Sequence, residues 1–413
     1  MNRSVSEKFL TDKFPDLDRG PVSVDIIRDP AIFEQEKEHI FRKGWLFAGR
    51  VEQILNEGDF FVRSVPTFEM SLIFVRGSDG QVRGFHNACR HRGNHVCLAS
   101  QGNCKYFTCS FHGWSYDTQG KLKGLTDEES FFDVERDNLG LIPVVTEVWE
   151  GFIFFSLAPE PRHSLAQYLG GLGEALAGYP FDRGTTRAQF TCTIKSNWKN
   201  VVDSFCEIYH IPFLHKRSIG STLAGPANPF GHLIDALQYG NHRTASMWGN
   251  KDYHPKFVQG LGYQYAAGDP ITGGRARSEP LPKGVNPSRS SDWAVDVSVF
   301  FPNFLTAIGA NTYFTHQMWP LAVDETQYEM TYYFPEPNNA AERFSQEYFF
   351  VELRDLLIED LNTLERAQAN VNNGTIREFH FQDHEVVLRM HYATIRRCLS
   401  DAAAESLGDT SKV

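Results

Sequence analysis

Cys89-Arg90-His91 and Cys109-Ser110-Phe111-His112 place two thiolates and two imidazoles in two short arms, with seventeen residues between His91 and Cys109. Such a donor set suits two metal centres. One is a structural zinc in tetrahedral Cys2His2 ligation, and the other is a two-iron, two-sulfide cluster with both histidines on one iron. The distribution of donors bears on the choice. Zinc hairpins usually put both cysteines in one arm and both histidines in the other, whereas here each arm supplies one of each. That pattern suits two loop tips closing over a rhombic cluster, with Cys89 and Cys109 on one iron and His91 and His112 on the other. Zinc remains the alternative.

A second group of metal-binding types lies in Asn197-Trp198-Lys199-Asn200-Val201-Val202-Asp203-Ser204-Phe205-Cys206-Glu207-Ile208-Tyr209-His210-Ile211-Pro212-Phe213-Leu214-His215. On a continuous helix, positions i and i+5 diverge by about 140°, so His210 and His215 could not share a small ion. Pro212 removes the objection: it lacks an amide donor and biases Ile211 out of the helical region, which predicts a helix ending near His210. Two histidines and one carboxylate on one face make a mononuclear iron(II) site of oxygen-activating enzymes. No acid immediately follows His215, so the carboxylate must come from elsewhere. The stretch Glu359-Asp360-Leu361-Asn362-Thr363-Leu364-Glu365 offers Asp360 and Glu359, with Asp355 nearby.

The flanks of the first site, His91-Arg92-Gly93 and His112-Gly113-Trp114, give a pattern of Cys-x-His, a spacer, and Cys-x-x-His-Gly-Trp. In this, and in Tyr209-His210-x4-His215, the chain resembles the catalytic α subunit of Rieske non-haem iron oxygenases, the aromatic-ring-hydroxylating family, from about Trp45 to Gln368. The resemblance implies one [2Fe-2S] cluster on Cys89, His91, Cys109 and His112, and one iron(II) on His210, His215 and Asp360. It also implies an α+β fold: a small antiparallel-β cluster domain, then a catalytic domain whose antiparallel sheet wraps a long helix in the helix-grip, START-like manner. A homotrimer is implied, α3 or α3β3 with a small β subunit. In such a trimer the cluster of one protomer faces the iron of the next across a closed heterologous ring. Glu207, three residues before His210, is then the acid that meets a neighbour's cluster histidine. The family commonly has Asp there, and Asp203 stands where ring-dihydroxylating members often have Asn. Both departures point away from a typical arene dioxygenase. Glu207 and Asp203 are the candidate catalytic acids, and Ile211 and Leu356 are candidate substrate contacts.

The implied activity is that of a terminal oxygenase fed by an NAD(P)H-dependent reductase, directly or through a ferredoxin. It would mono- or dihydroxylate a small organic, aromatic substrate, or demethylate it oxidatively, as in aromatic hydrocarbon catabolism. No GxGxxG fingerprint is present, so the nicotinamide chemistry belongs to a separate protein. A Rieske-type electron carrier without oxygen chemistry is the second reading, and a zinc-stabilised binding protein the third.

These side chains need a scaffold. Asp29 to Arg42 has helical periodicity behind Pro30. Short alternating runs such as Phe60-Phe61-Val62, Ser71 to Val75 and Gly151 to Phe155 read as strands of a small antiparallel domain. Ala188 to Thr193 reads as a strand leading into a helix from about Asn197. Val295 to Phe304, Thr306 to Trp319 and Gln327 to Phe334 read as further strands, and Phe344 to Asn370 as the longest helix. His254 to Trp293, rich in Gly, Pro, Ser and Arg, reads as a lid or loop. The resulting expectation is an N-terminal helical segment (1–43) packed on the catalytic domain, a cluster domain (44–160), an iron domain (161–400) and a tail (401–413).

Composition agrees. A chain of 413 residues can build several cores. Its net charge of −11, from 40 basic and 51 acidic side chains, disfavours a nucleic-acid partner. The 33 phenylalanines suit a large apolar cavity. Seven cysteines, an odd number, with no apolar leader in Met1 to Asp18, predict a cytoplasmic protein without a disulfide framework or a membrane anchor. Cys97 and Cys104 read as small apolar side chains.

Overall fold

The structure, a computed structural model, describes residues 9–265, 280–309 and 312–409. Its contacts divide it into two units, Phe41–Tyr168 and the remainder of the chain.

In the smaller unit the alternating runs pair as expected. Leu46–Arg50, Phe152–Ser156, Pro143–Trp149, Val82–His86, Met70–Arg76, Asp59–Val65 and Gln101–Asn103 lie side by side in that order as one antiparallel sheet. A three-stranded sheet of Tyr106–Thr108, Ser115–Asp117 and Leu122–Gly124 carries the second cysteine arm between its first two strands. The two layers share a core that includes Phe60, Ile73, Phe85, Phe107, Trp114 and Tyr116. Cys89, Cys97 and Cys109 are buried in it and Cys104 packs against it. The cysteines of the described structure are all free thiols.

The larger unit is built on a seven-stranded antiparallel sheet in the order Thr186–Ile194, Glu325–Phe334, Tyr313–Ala322, Phe304–Ile308, Trp293–Phe300, His242–Trp248 and Asp235–Tyr239. Two strands are shorter than the sequence suggests. Val295 to Phe304 is interrupted because Pro302 has no amide to continue a ladder, and Phe300 pairs back on Phe304 in a tight hairpin. Thr306 to Trp319 breaks at Gly309, whose amide bonds the carbonyl of Thr312. The long helix, Ala340–Asn372, begins at Asn339, whose side chain accepts from the amides of Ala341 and Glu342. Its buried stripe runs through Phe349, Leu353, Leu356, Leu357, Asp360 and Leu361, the i, i+3, i+4, i+7 spacing of a packed face. Asp360 is the anomaly in that stripe.

The N-terminal segment packs within this unit. Asp29 caps the helix Pro30–Glu36, which continues as a π-helical turn, Lys37–Phe41. Glu36 is fully buried against Nζ of Lys199 at 2.7 Å and the Trp198 indole at 2.9 Å. The C-terminal helix, Val386–Asp409, was not anticipated, and it runs through the start of the expected tail. In the expected lid, Phe257–Tyr265 is helical and residues 266–279 lie outside the described residues. No helix among the described residues is long and apolar enough to cross a membrane.

Candidate metal centres

The two cysteine arms of the smaller unit are the same loop built twice. In the first, the amide of Cys89 bonds the carbonyl of Asn94 at 2.8 Å, and the amide of Gly93 bonds the carbonyl of Cys89 at 2.9 Å. In the second, Cys109 bonds Trp114 at 2.8 Å, and Gly113 bonds Cys109 at 2.9 Å. Each six-residue loop thus starts on a cysteine and places a glycine fifth, at φ of +77° and +74°, where a Cβ would be strained. The repeat turns both cysteines inward and leaves both histidines at the rim. Cys89 and Cys109 are buried, whereas His91 and His112 are part-exposed.

The donors converge. Nδ1 of His91 lies 3.0 Å from Nδ1 of His112, near the ~3.3 Å expected of two nitrogens on one tetrahedral metal. The sulfurs have partners suited to thiolates. Tyr116 Oη accepts from the Arg90 amide at 3.0 Å, which turns its own proton toward Cys89 Sγ at 3.3 Å. Asn94 Nδ2 approaches Cys109 Sγ at 3.6 Å. Burial opposes ionisation of Cys109, yet bonds from the Phe111 amide, Asn94 and the His112 amide bring its pKa below the ordinary thiol value. Trp114 stacks on His91 with 5.0 Å between ring centroids, holding one rim imidazole in place. Four donors, two of them sulfurs supplied with hydrogen bonds, fit a cluster bound through Cys89, His91, Cys109 and His112.

In the larger unit, Asn197 caps the helix Trp198–Asp203 by accepting from the Lys199 amide at 3.0 Å. This helix ends seven residues before His210, not near it. Pro212 stands instead in the first turn of a new short helix, Ile211–Leu214, where its missing amide costs nothing. The two histidines therefore flank a separate helical turn, and their rings lie 5.1 Å apart. Glu207 reaches His210 without a shared helix: one carboxylate oxygen takes the amides of Tyr209 and His210, and the other meets Nδ1 of His210.

His210, His215 and Asp360 each offer a ligand atom within 4.8 Å of the others. Nε2 of His215 is 2.9 Å from Oδ1 of Asp360, and Nε2 of His210 is 3.4 Å from the same oxygen. Nδ1 of His215 meets Glu359 Oε2 at 2.6 Å, and Ser218 Oγ donates to that oxygen at 2.8 Å. Each imidazole thus aims Nε2 at the common point while a carboxylate holds its Nδ1, a contact that fixes ring orientation and tautomer in metal sites. Burial alone would lower the pKa of His210, but Glu207, Asp360 and Glu385 together raise it. That surplus of negative charge is what a bound cation would neutralise. The triad fits iron(II). Of the other candidate acids, Glu359 partners His215 and Asp355 pairs with Arg354 at the surface.

A cavity opens on the triad, with His210, His215 and Asp360 in its lining. Ile211 and Leu356 line it, with Ile208, Ile219, Leu223, Met247, Val295 and Val297 around them. Asp203 does not reach it. Its carboxylate bonds Nδ1 of His391 at 2.7 Å and borders a second cavity that also touches Glu207, His210 and Asp360. Burial pushes Asp203 up to about 7 despite the nearby Arg243 charge. Sequence reasoning passed over His316, whose imidazole lines the first cavity. Nothing in its surroundings, Tyr313-Phe314-Thr315-His316, signals a site.

Residues 44–139 match the model of the Rieske [2Fe-2S] domain, and residues 181–401 match that of the ring hydroxylating alpha subunit, catalytic domain. Over 215 residues the chain is 33% identical to the carnitine monooxygenase oxygenase subunit of Escherichia coli (strain K12), covering 51% of this chain and 53% of that one. Over 201 residues it is 35% identical to the biphenyl 2,3-dioxygenase subunit alpha of Rhodococcus jostii (strain RHA1), covering 46% and 42%. The chain spans about half the length of the curated relatives it matches. The structure of naphthalene 1,2-dioxygenase from Rhodococcus sp. bound to indole superposes with a TM-score of 0.71 at 22% identity, over 94% of this chain and 96% of that one. The quaternary ammonium Rieske monooxygenase CntA with γ-butyrobetaine gives 0.68 at 18%, over 95% and 99%. At these identities the structural likeness is one of fold, and the family rests on the sequence models: the chain belongs to the ring-hydroxylating alpha-subunit family of Rieske proteins.

Proposed function

We propose that this protein is the terminal oxygenase of a Rieske system and hydroxylates a small, uncharged, largely apolar organic molecule. Electrons come from a separate NAD(P)H-dependent reductase, directly or through a ferredoxin. The overall balance for one hydroxylation is RH + O2 + 2 e− + 2 H+ → ROH + H2O. Bound iron supplies the redox chemistry that couples oxygen to a C–H bond. His210, His215 and Asp360 would hold it. The apolar wall of the cavity excludes water and packs the substrate, with Ile211 and Leu356 beside the triad. Glu207 orients His210, and in an α3 or α3β3 ring it also accepts from a neighbouring protomer's cluster histidine. The cytoplasm, where a reductase is at hand, is the proposed location.

One observation carries the substrate class: away from the triad and Glu207, the cavity is walled by Ile, Leu, Val, Met, Phe and Ala side chains with Ser204 and His316 as its polar groups, and among the described residues it has no further acid. An uncharged guest loses little on entering such a wall, whereas a bare cation loses its hydration without a carboxylate to replace it. The presence of carnitine and glycine betaine monooxygenases among the relatives favours a second reading, oxidation of a carbon attached to a quaternary nitrogen. Phe205 and Phe314 are the ring faces such a cation would need.

The test is turnover by the iron- and cluster-loaded protein with a reductase, on a panel of arenes, alicyclic ketones, aryl methyl ethers, carnitine, glycine betaine and choline. The proposal expects oxygenated products from uncharged compounds, with 18O2 label counting the atoms incorporated. Turnover confined to the quaternary ammonium compounds would overturn it in favour of the second reading. Cluster reduction with no product from any class would favour the electron carrier.

A further inference from the structure

We propose that His316 is a substrate-binding residue whose Nε2–H is the hydrogen-bond donor of the cavity wall beyond the triad, so that the preferred substrate carries one acceptor oxygen, as in a ketone, on an apolar skeleton. This rests on the reading that the cavity takes the organic substrate.

His316 lies on the strand Tyr313–Ala322, in the wall of the cavity. Its Nδ1 is 2.6 Å from Tyr328 Oη. The ring stacks on Phe205 with centroids 4.2 Å apart and meets Phe314 edge-on at 5.2 Å, and both phenylalanines line the same cavity. The imidazole is thus fixed in plane and in orientation. Among the described residues its Nε2 has no protein partner. The other polar lining groups are committed: Ser204 Oγ donates to the Val201 carbonyl at 3.0 Å, and Glu207 is bonded to His210.

The tautomer follows from Tyr328. The phenol is fully buried, and burial holds its pKa well above the ordinary value, so it keeps its proton. Nδ1 of His316 is the acceptor within its reach, and a buried hydroxyl left without an acceptor is costly. Oη therefore donates to Nδ1. Burial also pushes the imidazole pKa down to about 3, so the ring is neutral and its single proton must sit on Nε2. A neutral imidazole with Nδ1 occupied presents a donor. An apolar pocket built around one donor favours a guest with a matching acceptor, since a guest without one leaves the N–H dry and unpaired.

Three bicyclic probes of nearly one shape separate the possibilities: indane with no polar atom, 2-indanone with an acceptor, and indole with a donor N–H. Binding to the full, iron- and cluster-loaded protein in its oxidised state is measured by calorimetry, without turnover. The wild type should bind 2-indanone about tenfold tighter than indane, the worth of one neutral hydrogen bond, and indole no tighter than indane. His316→Leu should bring the ketone-to-indane ratio to about one while indane affinity stays within twofold. His316→Asn, which restores an N–H, should recover part of the ratio. Should His316→Leu fail to load its metals, Tyr328→Phe serves: it keeps the ring, frees the tautomer and should lower the ratio severalfold.

Equal binding of indane and the ketone by the wild type, or an unchanged ratio in His316→Leu (in Tyr328→Phe if that variant stands in), overturns the role of His316 and leaves the apolar-substrate reading intact. Indole bound tighter than indane would mean that Nε2 is an acceptor and overturns the donor. If none of the three binds while choline or γ-butyrobetaine does, the substrate class itself fails and the inference falls with it.

Discussion

Glu359 Oε2 lies 2.6 Å from Nδ1 of His215, while the next residue of the same helix, Asp360, meets Nε2 of the same ring at 2.9 Å. Two consecutive acids can straddle one imidazole because His215 is fully buried against the helix edge. Asp360 falls in the buried stripe, and Glu359, one step around the helix, reaches the ring's outer nitrogen. The two carboxylates therefore have different predicted effects. Asp360→Ala should remove the mononuclear iron while the cluster's visible spectrum persists. Glu359→Gln should keep the iron but bind it about 10–100-fold more weakly, because the proton on Nδ1 loses a charged acceptor. Iron titration followed by metal analysis distinguishes them. Equal iron affinity in Asp360→Ala and the wild type would remove Asp360 from the ligand set.

The paired cysteine loops predict unequal tolerance at their glycines. Both Gly93 and Gly113 have positive φ, which costs a residue with a Cβ about 1 kcal/mol or more. A Cβ on Gly93 meets nothing within 4 Å, whereas one on Gly113 would sit 2.9 Å from Thr126 Oγ1. Gly113→Ala should therefore lower cluster occupancy more than Gly93→Ala, read as visible absorbance per chain. Replacing Cys89 or Cys109 by Ala should abolish that absorbance altogether.

Glu207 shares its carboxylate between backbone amides and His210. Glu207→Gln should retain both metals but slow single-turnover oxidation of a pre-reduced cluster in the presence of substrate and oxygen. Glu207→Asp should be milder, since the charge survives and only the reach shortens. A wild-type rate in the Gln variant would make Glu207 a local turn former without a part in electron transfer.

Asp296 supplies a pH test away from the iron. It points off the opposite face of the strand whose Val295 and Val297 line the cavity, and it accepts from Ser246 Oγ at 2.5 Å and the Asn286 amide at 2.6 Å. Burial pushes its pKa up to about 7 in spite of those bonds. Between its unfolded value of 3.8 and that folded value, the native state holds a proton that the unfolded chain has released. Stability contributed by this group is therefore present at low pH and lost as pH rises from about 4 to about 7, by at most about 1.4 kcal/mol per pH unit. Asp296→Asn should flatten that part of the urea-unfolding profile. A variant whose stability falls in parallel with the wild type across the window would place the titration elsewhere.

How much of this was legible in the chain follows from what each feature depends on. The convergence of Cys89, His91, Cys109 and His112, and of His210 with His215, was legible because these residue types sit at short fixed spacings, and the glycines that let each cysteine arm turn are adjacent. The strands of both sheets and the long helix were legible because burial of one face imposes periods of 2 and 3.6 on the residues themselves. What ended the helix before His210 was not: proline reads as a stop, yet at the start of a helical turn its missing amide is no loss, and the chain uses Pro212 to begin Ile211–Leu214. The division of labour between Glu359 and Asp360, the commitment of Asp203 to His391 and the placement of His316 in the cavity wall belong to the tertiary structure alone. Each is a meeting of residues from separate elements, such as Asp203 with His391 from the C-terminal helix, 188 positions away. No local pattern records such a meeting, because the face a side chain turns to the interior is local but its partner there is set only by how the helices pack on the sheet.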